Sequence, residues 1–247
     1  MSQAQRIYES TYGPLTVPTN VSVAQFLSKN NPDDVHPDKI ITSDFAAPHQ
    51  TLTYGQVRTK PARCATGLVN KLGVKEGDVV VLFGRNSVNW ILLAHSIMHF
   101  GGIFAGINAV ATSYELVHYF ELSKPKAIAC DVSLYSKVQE ALNMSAHLRT
   151  KPKILLIEDD TPTPKDERLV FPRDIATFSS GLPPLDLTYR DNRTVPAAMC
   201  FSSGTSGKPK GVLLSHHNVM AYSLTLRTAT PLIGNFRQTE IFFPPFV

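Results

Sequence analysis

The sequence is poor in the residues that mark a disulfide scaffold or a zinc-binding protein. It has only three cysteines, Cys64, Cys130 and Cys200, which are far apart along the 247-residue chain. Their number is odd and no pair has the C-x-x-C spacing, which argues against both a disulfide framework and a zinc site. We therefore expect a reducing compartment, in the simplest case the cytoplasm.

Clustered positive charge and the pattern of a secretory signal are lacking as well. The formal net charge is +4, and the lysines and arginines form no run. Because nucleic acids and acidic membranes bind clustered basic residues, we expect neither as a partner, whereas a small anion is compatible with this balance. The first residues also lack the basic segment and the apolar run of a secretory signal, so we expect none.

One long uncharged stretch, residues 90–111, raises the alternative of a membrane-spanning helix. Against that alternative, the stretch contains two histidines and Asn108. The adjacent Gly101 and Gly102 would also end a helix and start a new element. We therefore predict a helix, a glycine stop and a buried strand, and no membrane span.

The same stretch places His95 and His99 one helical turn apart, which is the spacing of a two-histidine metal face. No third ligand and no adjacent glutamate accompany them in the sequence. We interpret both histidines as structural and predict no metal site.

Short apolar runs alternate with segments of helical periodicity over residues 1–158. The predicted strands are 79–83, 103–107, 127–130 and 153–158, and the predicted helices are 54–72, 89–100, 113–122 and 133–143. This alternation is typical of parallel βαβ units with helices on both faces of the sheet. We therefore predict an α/β fold.

Local signals refine two of these helices. Thr53 and Gln56 have the spacing of a capping box, as do Thr112 and Glu115. Pro61 interrupts the first predicted helix, and a proline inside a helix costs about 3 kcal/mol or more. We therefore expect a kink there, or a helix that begins later than Thr53 suggests.

Residues 159–194 differ from the rest because they are polar and rich in proline. We predict a solvated connector there, with a short helix near 172–178. The predicted organisation is a first α/β subdomain over 1–158, this connector, and the start of a second α/β subdomain over 195–247.

The second predicted subdomain begins with a loop that is rich in glycine, hydroxyl groups and lysine. The loop, SSGTSGKPKG (202–211), joins a predicted strand at 197–201 to a second strand that ends at Ser215, before a helix that begins at His216. Its glycines permit positive φ and a close approach of the backbone, so that N–H groups can converge on an anion. Its hydroxyl groups and lysines add donors and charge, and the set suits a polyphosphate.

Other interpretations of this loop explain less of it. A nucleoside-triphosphatase loop requires Gly-x4-Gly-Lys-Ser/Thr, whereas Gly207 and Lys208 are followed by proline. The Gly-x-Gly-x-x-Gly pattern of dinucleotide-binding proteins is absent too. A hairpin turn without a ligand accounts for the glycines and serines, but not for the lysines that follow them.

The segment SSGTSGKPKGV (202–212) resembles the signature loop of the adenylate-forming superfamily. That superfamily includes acyl-CoA synthetases, 4-coumarate:CoA ligases, luciferases and the adenylation domains of peptide synthetases. The segments LTYGQV (52–57) and 99–128 are similar to segments of the same family, and the first residues are similar to the opening of its coumarate-ligase-like branch. The resemblance covers nearly the whole chain.

The resemblance implies a two-step ligase that uses ATP with Mg²⁺ and a small carboxylic acid. The carboxylate attacks the α-phosphate, pyrophosphate leaves, and the thiol of coenzyme A then displaces AMP. Lys210 is the one catalytic candidate, next to the charge that builds up on pyrophosphate, and His216 either caps the following helix or contacts the ligand. The residues implied to bind ATP are Ser202, Ser203, Gly204, Thr205, Ser206, Gly207, Lys208, Lys210 and Gly211.

The sequence departs from the family pattern in length, because family members continue far beyond position 247. The family's adenine-binding segment, ribose-binding aspartate and C-terminal catalytic lysine have no counterpart here. We therefore expect the truncated N-terminal part of an acid:CoA ligase, inactive or weakly active alone, with a polypeptide that supplies the missing part as one expected partner. The alternative is a non-catalytic remnant that binds a nucleotide or a protein partner. A longer form that carries a C-terminal signal would be peroxisomal.

Overall fold

The structure is a computed structural model, and it contains one main sheet with helices on both sides. The residues that it describes are 10, 12–45, 47–145, 148, 151–158, 162–163, 167–202 and 209–233. In chain order the elements are α1 (Val23–Lys29), β1 (Ile40–Ser43), β2 (Thr51–Thr53), α2 (Tyr54–Gly67), β3 (Val79–Gly84), α3 (Val88–His99), β4 (Ile103–Asn108), α4 (Ser113–Ser123), β5 (Ala127–Asp131), α5 (Tyr135–Met144), β6 (Lys153–Ile157), β7 (Leu169–Phe171), β8 (Pro196–Ser202), β9 (Lys210–Ser215) and α6 (His216–Ile233).

The main sheet has seven strands in the order β7-β6-β5-β3-β4-β8-β9. Neighbouring strands are parallel from β7 to β8, and β9 then pairs antiparallel with β8. The separate pair of β1 and β2 is a small antiparallel ribbon in front of α2. The predicted α/β fold, built from parallel βαβ units, is confirmed.

Alternating residues of the central strand β3 enter two different cores. Val80 and Leu82 belong to the cluster that contains side chains of α2 and α3. Val81 and Phe83 belong to the cluster on the opposite face, which contains side chains of α4 and α5. All four are fully buried, which explains why the sequence of this strand is an unbroken apolar run rather than an alternating one.

The helix α2 begins at its capping box and runs through its proline. Thr53 accepts a hydrogen bond from the N–H of Gln56 at 3.2 Å, and the helix starts at Tyr54, so the alternative of a later start is wrong. Pro61 lies inside the helix and is buried, so the burial of its ring acts against the cost of the missing backbone donor. The predicted capping box at Thr112 is also confirmed, at the start of α4.

The uncharged stretch divides into α3 and β4, as predicted. Gly101, which lies between them, has a φ of +84°, so it terminates the helix in a conformation that other residues adopt at a cost. Within the described residues, no helix combines the length and the apolar character that a membrane crossing requires.

The predicted connector contains a strand that the sequence pattern does not indicate. Leu169–Phe171 forms β7, which pairs parallel with β6 at the edge of the sheet. Hydrogen-bonded turns lie at 172–177, where the sequence predicts a short helix. The carbonyl oxygen of Pro172 accepts hydrogen bonds from the N–H groups of both Ile175 and Ala176.

The strand before the predicted phosphate-binding loop belongs to the same sheet as β3, because β8 pairs with β4. The division into two subdomains stays a prediction.

Candidate functional site

The loop predicted to bind phosphate connects β8 to β9 in an antiparallel hairpin. Ser202 lies opposite Lys210 at the end of this hairpin, and both residues are exposed, so a hydroxyl group and an ammonium group face solvent on the two sides of the loop. The predicted site residues that lie outside the described residues are Ser203, Gly204, Thr205, Ser206, Gly207 and Lys208.

The position of β8 in the sheet determines where the loop emerges. Phe104 and Ala105 of β4 pair in parallel with Ala198 and Met199 of β8. The chain therefore leaves β8 at the edge where the parallel strands have their carboxyl ends. In open α/β sheets, ligands bind at this carboxyl edge. The predicted loop is thus attached where an α/β sheet offers a binding site.

The helix α4 contacts both sides of the hairpin. Nε2 of His118 lies 2.8 Å from the carbonyl oxygen of Pro209, the loop residue directly before β9. The ring of Tyr119 lies against the ring of Phe201, with centroids 4.6 Å apart, shortly before the loop. Sequence reasoning missed His118. The periodicity of α4 predicts which residues are helical, but no local pattern indicates contact with a segment 91 positions away.

Gly211, the last residue of the predicted phosphate-binding loop, lies where a side chain would be crowded. A Cβ atom at this position would lie 3.2 Å from the sulfur of Met199 and 3.3 Å from Cδ2 of Leu122. Gly211 is not among the glycines with positive φ, so its backbone does not use the conformational freedom that glycine permits. The residue allows β9 to approach β8 and α4 closely, because a side chain would be crowded there.

The helix α6 is capped by Ser215 and not by His216. Ser215 Oγ accepts a hydrogen bond from the N–H of Asn218 at 3.2 Å, and the side-chain oxygen of Asn218 accepts one from the N–H of Ser215 at 3.0 Å. His216 is instead fully buried, and its Nδ1 accepts a hydrogen bond from the N–H of Val23 at 3.2 Å. The expectation that His216 caps the helix is therefore wrong.

The environment of His216 keeps its ring neutral near pH 7. Burial, and to a smaller extent the positive charge of Arg190, lower the pKa of His216 to about 4. Since Nδ1 accepts a hydrogen bond, the proton of the neutral ring is on Nε2, which finds no hydrogen-bond partner within the described part of the chain. The ring is buried beside the start of α1, and His216 directly follows Ser215, which pairs with Pro196 at the end of the hairpin opposite the loop.

His95 and His99 lie on α3, where the sequence places them. His99 donates from Nε2 to the carbonyl oxygen of Leu182 at 2.9 Å, which occupies one of its two ring nitrogens. Burial lowers the pKa of both histidines, that of His95 to about 4. Among the residues that the structure describes, no group of three or more histidine, cysteine, aspartate or glutamate side chains could hold a metal ion.

Comparison with known proteins gives concordant matches. The model of the AMP-binding enzyme family matches residues 30–244. The curated protein 4-coumarate–CoA ligase-like 9 of Oryza sativa subsp. japonica is 27% identical over 222 residues, which are 89% of this chain and 37% of that protein. The chain thus spans well under half the length of this relative.

Solved structures match the same region. A long-chain-fatty-acid–CoA ligase from Archaeoglobus fulgidus has a TM-score of 0.72 at 19% identity, over 91% of this chain and 42% of that one, and this likeness shows the fold. ATP-bound MatB from Rhodopseudomonas palustris has a TM-score of 0.63 at 25% identity, over 82% of this chain and 37% of that one. The family match covers β1 to α6 and includes the glycine- and lysine-rich hairpin. From its sequence and its fold, the chain belongs to the family of AMP-binding enzymes.

Proposed function

We propose that this chain provides the phosphate-binding part of an ATP-dependent acid:CoA ligase. The observation that carries the proposal is the position of Ser202 opposite Lys210, both exposed, at the carboxyl edge of the parallel strands. A hydroxyl group and a cation thereby stand on the two sides of one loop, and the loop itself contributes further hydroxyl groups, glycines and Lys208.

The composition of the loop fits a triphosphate. Residues 202–211 contain no aspartate or glutamate, so no fixed negative charge opposes the phosphate oxygens. Hydroxyl and backbone N–H groups donate hydrogen bonds to such oxygens, and lysine supplies a compact positive charge. The residues that would hold the nucleotide are Ser202, Lys210 and the loop residues between them. Mg²⁺, when bound with ATP, would neutralise part of the phosphate charge.

The proposed reaction has two steps. A carboxylate oxygen of the acid bonds to the α-phosphorus of ATP, and the bond from that phosphorus to the bridging oxygen breaks, so that pyrophosphate leaves with the electron pair. The sulfur of coenzyme A then attacks the acyl carbon, AMP leaves, and the thiol loses its proton. Lys210 would stabilise the negative charge that grows on pyrophosphate, because a fixed cation in a preorganised site needs no rearrangement when the charge develops.

The relatives support this choice of substrates. The rice relative is named as a CoA ligase, and MatB is described with ATP bound. We extend both properties to this chain as a proposal, with a small carboxylic acid as the second substrate. A cytoplasmic location, or a peroxisomal one for a longer form, stays a prediction. The comparisons give no support to the expected polypeptide partner.

Isothermal titration of the 247-residue chain with MgATP tests the proposal. We expect saturable binding that inorganic tripolyphosphate competes away. Hydroxamate trapping with a panel of carboxylic acids, run in parallel, measures adenylation. Turnover supports ligase activity of this chain, whereas binding without turnover favours the non-catalytic remnant. If MgATP does not bind to folded protein, the proposal is wrong.

A further inference from the structure

Two successive residues of α4 fix the two ends of the loop. His118 is hydrogen-bonded to Pro209, the loop residue directly before β9, and Tyr119 packs on Phe201, the residue directly before the loop. One turn further along the same helix, Leu122 packs on Gly211 of β9. The hairpin therefore rests on α4 through three points of contact.

We propose that His118 is a positioning residue for nucleotide binding, because its hydrogen bond to Pro209 fixes the backbone that carries Lys210. This inference rests on the proposed function of the hairpin. A carbonyl oxygen only accepts hydrogen bonds, so Nε2 of His118 is the donor in this pair.

The hydrogen bond between His118 and Pro209 lies outside the paired part of β8 and β9. The register of the hairpin ends with Ser202 opposite Lys210, and Pro209 is beyond it. Proline has no N–H, so the carbonyl group is the only backbone hydrogen-bonding group of Pro209. His118 thus extends the anchored backbone by one residue, from the start of β9 into the loop.

The anchored backbone matters for a lysine in particular. Lys210 is exposed, and a lysine side chain in solvent has several rotatable bonds and large rotamer entropy. If its Cα position also varied, the ammonium group would be spread over a still larger volume. If the backbone is already fixed, less conformational entropy is lost when the nucleotide binds. Preorganisation of this kind increases affinity.

Two substitutions separate the hydrogen bond from the bulk of the ring. In His118→Gln the side-chain amide nitrogen reaches about as far as Nε2, so it can donate to Pro209. In His118→Phe a ring remains but the donor is lost. Tyr114→Phe is the matched control, because Tyr114 lies on the same helix and is 79% exposed.

The first measurement is amide hydrogen exchange of the full chain without nucleotide. We expect His118→Phe to raise exchange in the peptide 209–215 by about fivefold to tenfold, consistent with the loss of one hydrogen bond. We expect His118→Gln and Tyr114→Phe to stay near the wild type. Exchange in the core strand β3 should not change, which separates a local positioning role from general destabilisation.

The second measurement is the dissociation constant for MgATP. We expect His118→Phe to weaken binding by about fivefold to tenfold and His118→Gln by less than about twofold. The inference is overturned if exchange at 209–215 is unchanged in His118→Phe, if it rises equally in β3, or if His118→Gln behaves like His118→Phe.

Failure of the proposed function is distinguishable from failure of this inference. If the wild type does not bind MgATP, the proposed function fails, and hydrogen exchange alone then decides whether His118 fixes the backbone at Lys210. If the wild type binds MgATP and His118→Phe binds it equally well, His118 has no role in nucleotide binding.

Discussion

The backbone N–H of Val23 donates a hydrogen bond of 3.2 Å to Nδ1 of His216, which lies 193 positions later in the chain. Val23 is the first residue of α1, and the first N–H groups of a helix have no partner within the helix. His216 is the first residue of α6 and is fully buried. The neutral imidazole of His216 therefore accepts a hydrogen bond from the first N–H group of α1, and it links the N-terminal segment to the residue that directly follows β9.

We expect acid to destabilise the protein through His216. The pKa of His216 is about 4 in the folded chain, against an ordinary value of 6.5. Between these two pH values the unfolded chain binds the proton and the folded chain does not, so the free energy of unfolding falls as the pH drops from about 6.5 towards about 4. The full effect is about 3 kcal/mol. Urea denaturation from pH 7 to pH 4.5 covers most of this change.

The variant His216→Asn isolates this contribution. Asparagine keeps an oxygen acceptor near the position of Nδ1 but does not titrate. The free energy of unfolding should therefore depend less on pH in the variant, by the contribution of one titrating group. His95, whose pKa is also lowered to about 4, keeps its own contribution in the variant. If the free energy of unfolding changes equally with pH in the wild type and in His216→Asn, the expected contribution of His216 is wrong.

Gly67→Ala should destabilise the protein, although alanine favours helices. Gly67 lies in α2, and a Cβ atom there would collide with the backbone carbonyl of Ile175. The helix propensity gained is about 1 kcal/mol, whereas forcing apart two packed backbone segments costs at least about 2 kcal/mol. We expect a net loss in the free energy of unfolding, measured by urea denaturation at pH 7.

Gly13→Ala is the control for this substitution. A Cβ atom at Gly13 would have no heavy atom within 4 Å, so the change should leave stability within about 0.5 kcal/mol of the wild type. A neutral or stabilising result for Gly67→Ala would show that the packing of α2 against residue 175 is looser than described.

Gln25→Leu should be strongly destabilising, because one side chain holds three polar groups together. Its Oε1 accepts from the N–H groups of Ser22 at 2.9 Å and Leu187 at 3.2 Å, and its Nε2 donates to Asp186 at 2.8 Å. Leucine would leave buried donors without acceptors, at a cost of about 2 to 4 kcal/mol. Gln50→Leu, at an exposed glutamine, should change stability little. Thermal denaturation of both variants distinguishes the two sites.

Lys210→Ala should lower adenylation about a hundredfold in a complete enzyme that contains this segment, since one well-placed charge contributes a few kcal/mol to the transition state. The rate of ATP–pyrophosphate exchange measures the effect. Lys75→Ala, at an exposed lysine outside the hairpin, is the matched control and should be neutral. An exchange rate that Lys210→Ala leaves unchanged counts against a role for this lysine.

Local signals in the sequence located most elements to within a few residues. The run predicted as a strand at 79–83 is β3, Val79–Gly84, and the capping boxes at Thr53 and Thr112 mark the starts of α2 and α4. These signals work because β-branched runs and caps act between residues that are neighbours in the chain. Of the predicted phosphate-binding residues, the structure describes Ser202, Lys210 and Gly211. For the residues between Ser202 and Lys210, the prediction of phosphate binding comes from the sequence motif.

The sequence by itself therefore determined the class of fold, the alternation of elements and the chemical character of the loop. Only the tertiary structure decided that Leu169–Phe171 pairs with β6 at the edge of the sheet, that a side chain at Gly211 would be crowded, and that His118 meets Pro209. The physical reason is distance along the chain: propensity and capping are local, whereas strand order and contacts between remote segments depend on how all the buried surfaces fit together.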